Sequence, residues 1–100
     1  MLSEKRAARK AFEQALDREL NETIRKAKDK ALAITDASEM WDLERWLTRR
    51  RKDIDSKYDY RYSVLPIVFA RLLHEGRISE DDLQGLGPEK LALIRDLAGL

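Results

Sequence analysis

The sequence contains no cysteine and a single histidine, His74. Disulfides, thiolate nucleophiles and cysteine–zinc sites are therefore excluded. A zinc site built on imidazole needs further ligands, and no second histidine can join His74. A lone histidine also lacks the serine or cysteine partner of a nucleophilic triad signature. It stands near the end of a helical segment beside Glu75, where an imidazolium complements the helix dipole, and that is the role read for it. There is no glycine-rich phosphate loop, and four Gly and two Pro leave few turns. Neither charge sign is in excess. Twenty Lys+Arg against nineteen Asp+Glu give a net charge of +1, which argues against a dedicated nucleic-acid binder. The opening residues, Met1 to Arg6, carry no apolar run of the kind a signal peptide needs. No stretch is apolar enough to span a membrane. These absences predict a cytoplasmic, non-enzymatic chain without cofactor or metal and without membrane insertion.

What is present is 43% hydrophobic and 39% charged residues, the composition of helices with one buried stripe and a wide solvated face. One hundred residues predict one all-helical domain, 1–100, with two long helices over 1–57 and a helical head over 58–100. Phe12, Leu16, Leu20, Ile24, Ala27, Ala31 and Ile34 follow one another at steps of three or four, predicting a helix from about Ser3 to Thr35. At 1.5 Å per residue such a helix is about 45 Å long, whereas a compact domain of this size has a radius of gyration of about 13 Å. The helix overhangs what one chain can cover, and a second copy is the simplest cover for its stripe.

Asp36 with Glu39 three residues later resembles a capping box and starts a second helix, Ala37 to Lys57. Met40, Leu43, Leu47, Ile54 and Tyr58 mark one of its faces. Ser63 is expected to cap a third helix, Val64 to Glu75, with Pro66 in its first turn and Gly76 as its stop. Ser79 followed by Glu80, Asp81 and Asp82 predicts a short fourth helix. Pro88 opens a last one through Leu91, Ile94 and Leu97. The acidic block lacks the spacing and central glycine of a calcium loop, so capping is its expected role.

Glu19, Glu22 and Asp29 on the first helix neighbour Arg or Lys and read as a solvated face. Arg49-Arg50-Arg51-Lys52 suits a solvated helix face, an acidic protein partner or nucleic acid. Successive helical residues diverge by about 100°, so the four do not form a single patch. Trp41 and Trp46, five positions apart, point in different directions; one is expected inside and one at an interface.

Trp41-Asp42-Leu43-Glu44-Arg45-Trp46-Leu47, Asp53-Ile54-Asp55-Ser56-Lys57-Tyr58-Asp59, Ser63-Val64 and Val68 through Gly76 resemble the fluorescence recovery protein family of cyanobacteria, without gaps from Phe12 to Leu100. The resemblance implies an all-helical homodimer that binds the photoactivated orange carotenoid protein, mainly through that partner's C-terminal domain. It implies faster return of the partner to its resting orange form and its release from the phycobilisome antenna, with no covalent chemistry. It also implies a functional patch on helix two. Trp41 and Arg51 match the family there, whereas Glu44 and Arg45 replace a histidine and an aspartate. Ile67 stands at a usually aromatic head position, Leu93 at a contact lysine, and Pro66 is unusual. The implied partner-binding set is thus Trp41, Glu44, Arg45, Arg51, Ile67 and Leu93. The expected dimer interface is Leu20, Ile24, Ala27, Ala31, Met40 and Leu43, with Ile24 at an apolar interface position of the family. The alternative is a helical homodimeric regulator with a different protein partner, favoured by the substitutions at Glu44, Arg45, Ile67 and Leu93.

Overall fold

A computed structural model describes residues 2–99. Helix α1 runs Leu2–Leu32, α2 Ala37–Lys57, α3 Leu65–His74 and α4 Pro88–Ala98, with one 3-10 turn at Asp81–Leu83 between the last two helices. The chain is an elongated all-α body of 53 × 22 × 21 Å with a radius of gyration of 16.4 Å, larger than the roughly 13 Å of a compact 100-residue domain.

Local chemistry sets most helix ends. The Asp36 carboxylate accepts from the Glu39 N–H (3.0 Å) and the Ser38 hydroxyl (2.7 Å). The return arm of the box falls one residue earlier than expected: Glu39 Oε1 accepts from the Thr35 hydroxyl at 2.6 Å. Pro66 lies in the first turn of α3 and Pro88 opens α4. Gly76, at φ 74°, turns the chain out of α3 while the Arg77 N–H reaches Leu72 O at 2.9 Å. Three expected boundaries are corrected. Helix α1 stops at Leu32, three residues before Thr35, which is used in the cap of α2. Val64, not Ser63, precedes α3, and no side chain caps that end. The expected fourth helix is only a 3-10 turn, because Asp82 folds back on Ser79, accepting from its N–H at 2.9 Å.

The core lies at one end. Ala8, Ala11, Phe12 and Ala15 of α1 pack with Leu65, Val68, Phe69 and Leu72 of α3, Ile78, Leu83 and Leu86 of the following loop, and Ile94 of α4. The three alanines let these elements approach α1 closely. At Gly85 (φ 99°) a Cβ would sit 2.8 Å from Ala7 Cβ, so the loop has room there only for glycine. Phe12 meets Tyr58 and Tyr60 edge-on, with centroids at 5.5 and 4.9 Å. The buried stripe of α1 thus runs through Ala8, Phe12, Ala15 and Glu19. Beyond Glu19 no residue of α1 is buried, and none of α2 is buried before Ile54. This distal stem, the outer halves of α1 and α2, leaves Leu20, Ile24, Met40, Trp41 and Leu47 exposed. Helices of this length draw most of their stability from a packed apolar face.

Candidate functional site

Stem and head join at an elbow that the charge pattern did not reveal. Glu19, expected on a solvated face, is 0% exposed, and Lys57, the last residue of α2, is 4% exposed. Glu19 Oε2 accepts from Lys57 Nζ at 2.7 Å and Arg50 Nη2 at 2.9 Å. Its Oε1 accepts from the Tyr58 hydroxyl at 2.8 Å and lies 3.0 Å from Arg77 Nε. Lys57 also donates to Glu75 Oε1 at 2.9 Å, and Arg77 donates to Glu75 at 2.8 Å and Glu22 at 2.9 Å. Five segments therefore meet around one carboxylate: α1, α2, the Tyr58 connection, the end of α3 and the turn after it. Buried charge persists only when paired and hydrogen-bonded in this way. A signal was available in the sequence: Glu19 stands four residues after Ala15 and seven after Phe12, on the apolar stripe itself.

The fields at the elbow are strong. Burial works to raise the Glu75 carboxyl, but hydrogen bonds from Lys57, Arg77 and Arg71 overcome it and hold it down to about 2. Lys26 and Arg77 hold Glu22 down to about 2 in the same way. Burial, reinforced by the hydrogen bond to Glu19, pushes the Tyr58 phenol well above its ordinary range.

Beyond the elbow, α2 presents a free outer face. At about 100° per residue, Trp41, Glu44, Arg45 and Arg51 fall within an arc of about 120°, and all four are exposed, Trp41 by 55%. Arg45 pairs with Asp42 one turn before it, and Arg51 lies 3.8 Å from Asp55. Glu44 accepts from the Thr48 hydroxyl at 3.3 Å. Trp46 instead turns half inward, under Lys30 Nζ at 5.0 Å from the ring centroid. The basic run is divided as its spacing predicted: Arg50 turns into the elbow while Arg49, Arg51 and Lys52 face solvent.

Ile67 and Leu93 are exposed on α3 and α4 of the head, away from the distal part of α2. A groove of about 420 Å³ between those helices is lined by Ile67, Ala70, Arg71, His74, Asp96 and Leu97 among others. His74 is the last residue of α3 and is exposed. Of the expected interface residues, Leu20, Ile24, Ala31 and Met40 are exposed, whereas Ala27 and Leu43 are half-buried. In the acidic block Asp82 pairs with Arg18 at 3.1 Å and Glu80 with Arg95. Among the described residues no group of acidic or histidine side chains is gathered as a metal site, and no helix is long and apolar enough to cross a membrane.

Residues 2–98 match the family described as photoprotection regulator fluorescence recovery protein. Over 98 residues the chain is 37% identical to the fluorescence recovery protein of Synechocystis sp., covering 98% of this chain and 90% of that one. The solved structure of the Fremyella diplosiphon fluorescence recovery protein superposes with a TM-score of 0.92 at 40% identity, over 97% of this chain and 95% of that one. The Synechocystis structure superposes with a TM-score of 0.95 at 36% identity, over 100% of this chain and 98% of that one.

Proposed function

Because this chain belongs to the fluorescence recovery protein family, a family of photoprotection regulators rather than enzymes, we propose that it binds the photoactivated orange carotenoid protein as a homodimer. It accelerates the partner's return to the resting orange state and so ends photoprotective quenching. The observation that carries this reading is the exposed face of α2, with Trp41 exposed near its start and Arg51 exposed on the same face about 15 Å further along the axis. A large exposed aromatic on a helix, with the Arg45 guanidinium one turn further on, has the composition of an interface anchor. Ile67 and Leu93 supply a second, apolar contact on the head.

Such a regulator works by differential binding. It lowers the partner's barrier only by the amount by which it holds the intermediate better than the photoactivated state, about tenfold in rate for each 1.4 kcal/mol. The second copy covers Leu20, Ile24, Ala27 and Ala31 of α1 with Met40 and Leu43 of α2. Dimerisation is supported by the distal stem, where one protomer leaves Leu20, Ile24 and Met40 exposed and Ala27 and Leu43 only half-buried.

The test is to mix purified protein with photoactivated orange carotenoid protein and time the red-to-orange decay. Acceleration is expected, and Trp41→Ala should remove most of it while leaving the circular dichroism spectrum unchanged. An unchanged decay at saturating protein refutes the function. One feature favours a second reading, a regulatory dimer with another protein partner. Glu44 and Arg45 alter the charge of the α2 face, and Arg45 is tied to Asp42. Capture of a different protein from the source organism, lost in Trp41→Ala, would establish that reading.

A further inference from the structure

The head contains a cavity that the proposed function does not use. About 270 Å³ in volume, it opens between the first turns of α1 and helices α3 and α4. Its floor is apolar: Ala8, Leu65, Phe69, Leu86 and Ile94 are all buried core residues, and Pro66 forms one side. The mouth carries Glu4, Lys5, Tyr62 and Lys90. Glu4 is already committed, accepting from the Gly87 N–H at 2.9 Å and facing Lys90 Nζ at 3.2 Å. Lys5 is not. Its ammonium lies 5.6 Å from the Tyr62 ring centroid, and among the described residues it makes no ion pair.

A second depression adjoins the first, with Lys5 and Tyr62 common to both. It is lined by Arg6, Arg9 and Lys10 on the basic side and by Glu13 and Asp17 on the acidic side. Arg9 is held over Tyr60 at 4.2 Å and near Glu13 at 3.8 Å. The apolar cavity therefore opens onto a surface of net positive charge, with one ammonium at the boundary free to take an anion.

We propose that this cavity binds a small amphipathic carboxylate, with its apolar body on Phe69 and Ile94 and its acid group at Lys5. The volume sets the size. A dry apolar cavity of about 150 Å³ holds the six carbons of benzene, so this one holds an apolar body of about ten carbons. The charge sets the class, because a neutral molecule of the same body leaves the Lys5 ammonium unused, whereas a carboxylate pairs with it at the rim. Bound there, the ligand bridges α1 to α3 and α4 and stabilises the head by mass action.

Decanoate, kept below its micelle concentration, is the probe, and decanol supplies the same body without the charge. Amide and methyl shifts at Ala8, Leu65, Phe69 and Ile94 are followed by two-dimensional NMR up to about 5 mM ligand, since a millimolar Kd is already measurable. Decanoate should shift these residues saturably and leave distal-stem residues such as Ala31 unmoved. Lys5→Gln, a surface change that leaves the core intact, should weaken decanoate about threefold, as a rim ion pair does, and leave decanol unchanged. Absence of saturable shifts at these residues overturns the proposal. So do equal affinities of the wild type for decanoate and decanol, or a Lys5→Gln variant that binds decanoate as tightly as the wild type. The assay needs no carotenoid protein, so its outcome is independent of the function proposed above.

Discussion

Glu19→Gln is the sharpest perturbation of this fold, because it keeps the shape of the side chain and changes only its hydrogen-bonding logic. Each carboxylate oxygen now faces two cationic or hydroxyl donors: Lys57 and Arg50 on one, Tyr58 and Arg77 on the other. An amide replaces one of those acceptors by an NH2 group, which then points at two donors. Lys57, whose side chain is 1% exposed, would keep Glu75 at 2.9 Å and Asp53 at 3.9 Å and lose its shortest contact. Breaking a buried ion pair on one side costs about 3–5 kcal/mol. The retained partners of Lys57 and Arg77 put this case at the low end, about 3 kcal/mol. For a domain near 100 residues that is a fall in Tm of about 12–24 °C, and a large share of a total stability of about 5–15 kcal/mol.

The assay is urea denaturation at pH 7 at one fixed protomer concentration, since association contributes to apparent stability. Glu13→Gln is the control. It lies on the same helix, 63% exposed at the side chain and 3.8 Å from Arg9, and should change stability by less than about 0.5 kcal/mol. Glu19→Leu combined with Lys57→Leu should be less destabilising than the sum of the single changes by about 2 kcal/mol, since the double variant leaves neither charge stranded. A Glu19→Gln variant within about 1 kcal/mol of wild type, or one no worse than Glu13→Gln, would refute the view that this carboxylate organises the elbow.

Acid should unfold the protein through the same network. Glu22 and Glu75 have folded values near 2 against an ordinary 4.5, so their stabilisation is complete above pH 4.5 and is lost as pH falls toward 2; urea midpoints between pH 6 and 3 should drop accordingly, and less steeply in Glu75→Gln. Ile24→Glu should yield monomers by light scattering, because a carboxylate in a desolvated apolar seam costs several kcal/mol; a dimer that persists in this variant would place the interface elsewhere. Gly85→Ala should destabilise by about 2 kcal/mol, combining positive φ with a collision at Ala7. Gly76→Ala, with positive φ but open space around it, should cost only about 1 kcal/mol.

The helix plan was legible because its signals are local. Asp36 with Glu39, Pro66, Gly76 and Pro88 act within one turn of themselves, and α2 runs over the predicted Ala37–Lys57. The core was less legible because alanine carries it. Large apolar residues on α1 trace a stripe through Phe12, Leu16, Leu20 and Ile24, but of these only Phe12 is buried, and the buried line otherwise passes through Ala8, Ala11 and Ala15, where small side chains permit close approach. Glu19 was misread for a related reason. Its neighbours in sequence are charged, yet its partners Arg50, Lys57, Tyr58 and Arg77 are 31 to 58 residues away, and no local pattern reports pairing at that range. That Trp41 and Trp46 point in different directions was recoverable from their five-residue offset, because that argument needs only helix geometry; which of them faces outward was not, and Trp46 is half-buried rather than inside.

The division between a packed head and a stem with little buried surface leaves the exposed face of α2 outside the fold's main packing. Among the described residues, the hydrogen bonds and ion pairs of Glu44, Arg45 and Arg51 are with residues of their own helix: Thr48, Asp42 and Asp55. Exposed pairs of that kind contribute at most about 0.5 kcal/mol each, so exchanging these residues leaves the elbow and the core untouched. The residues that join stem to head, Glu19, Arg50, Lys57 and Arg77, are the opposite case, each held by partners from other segments. Residues of the α2 face can therefore be exchanged, and the surface they present changed, at little cost in folding. A change at the elbow would displace the α2 face relative to Ile67 and Leu93, which are exposed on the head, and so rearrange the two exposed surfaces together.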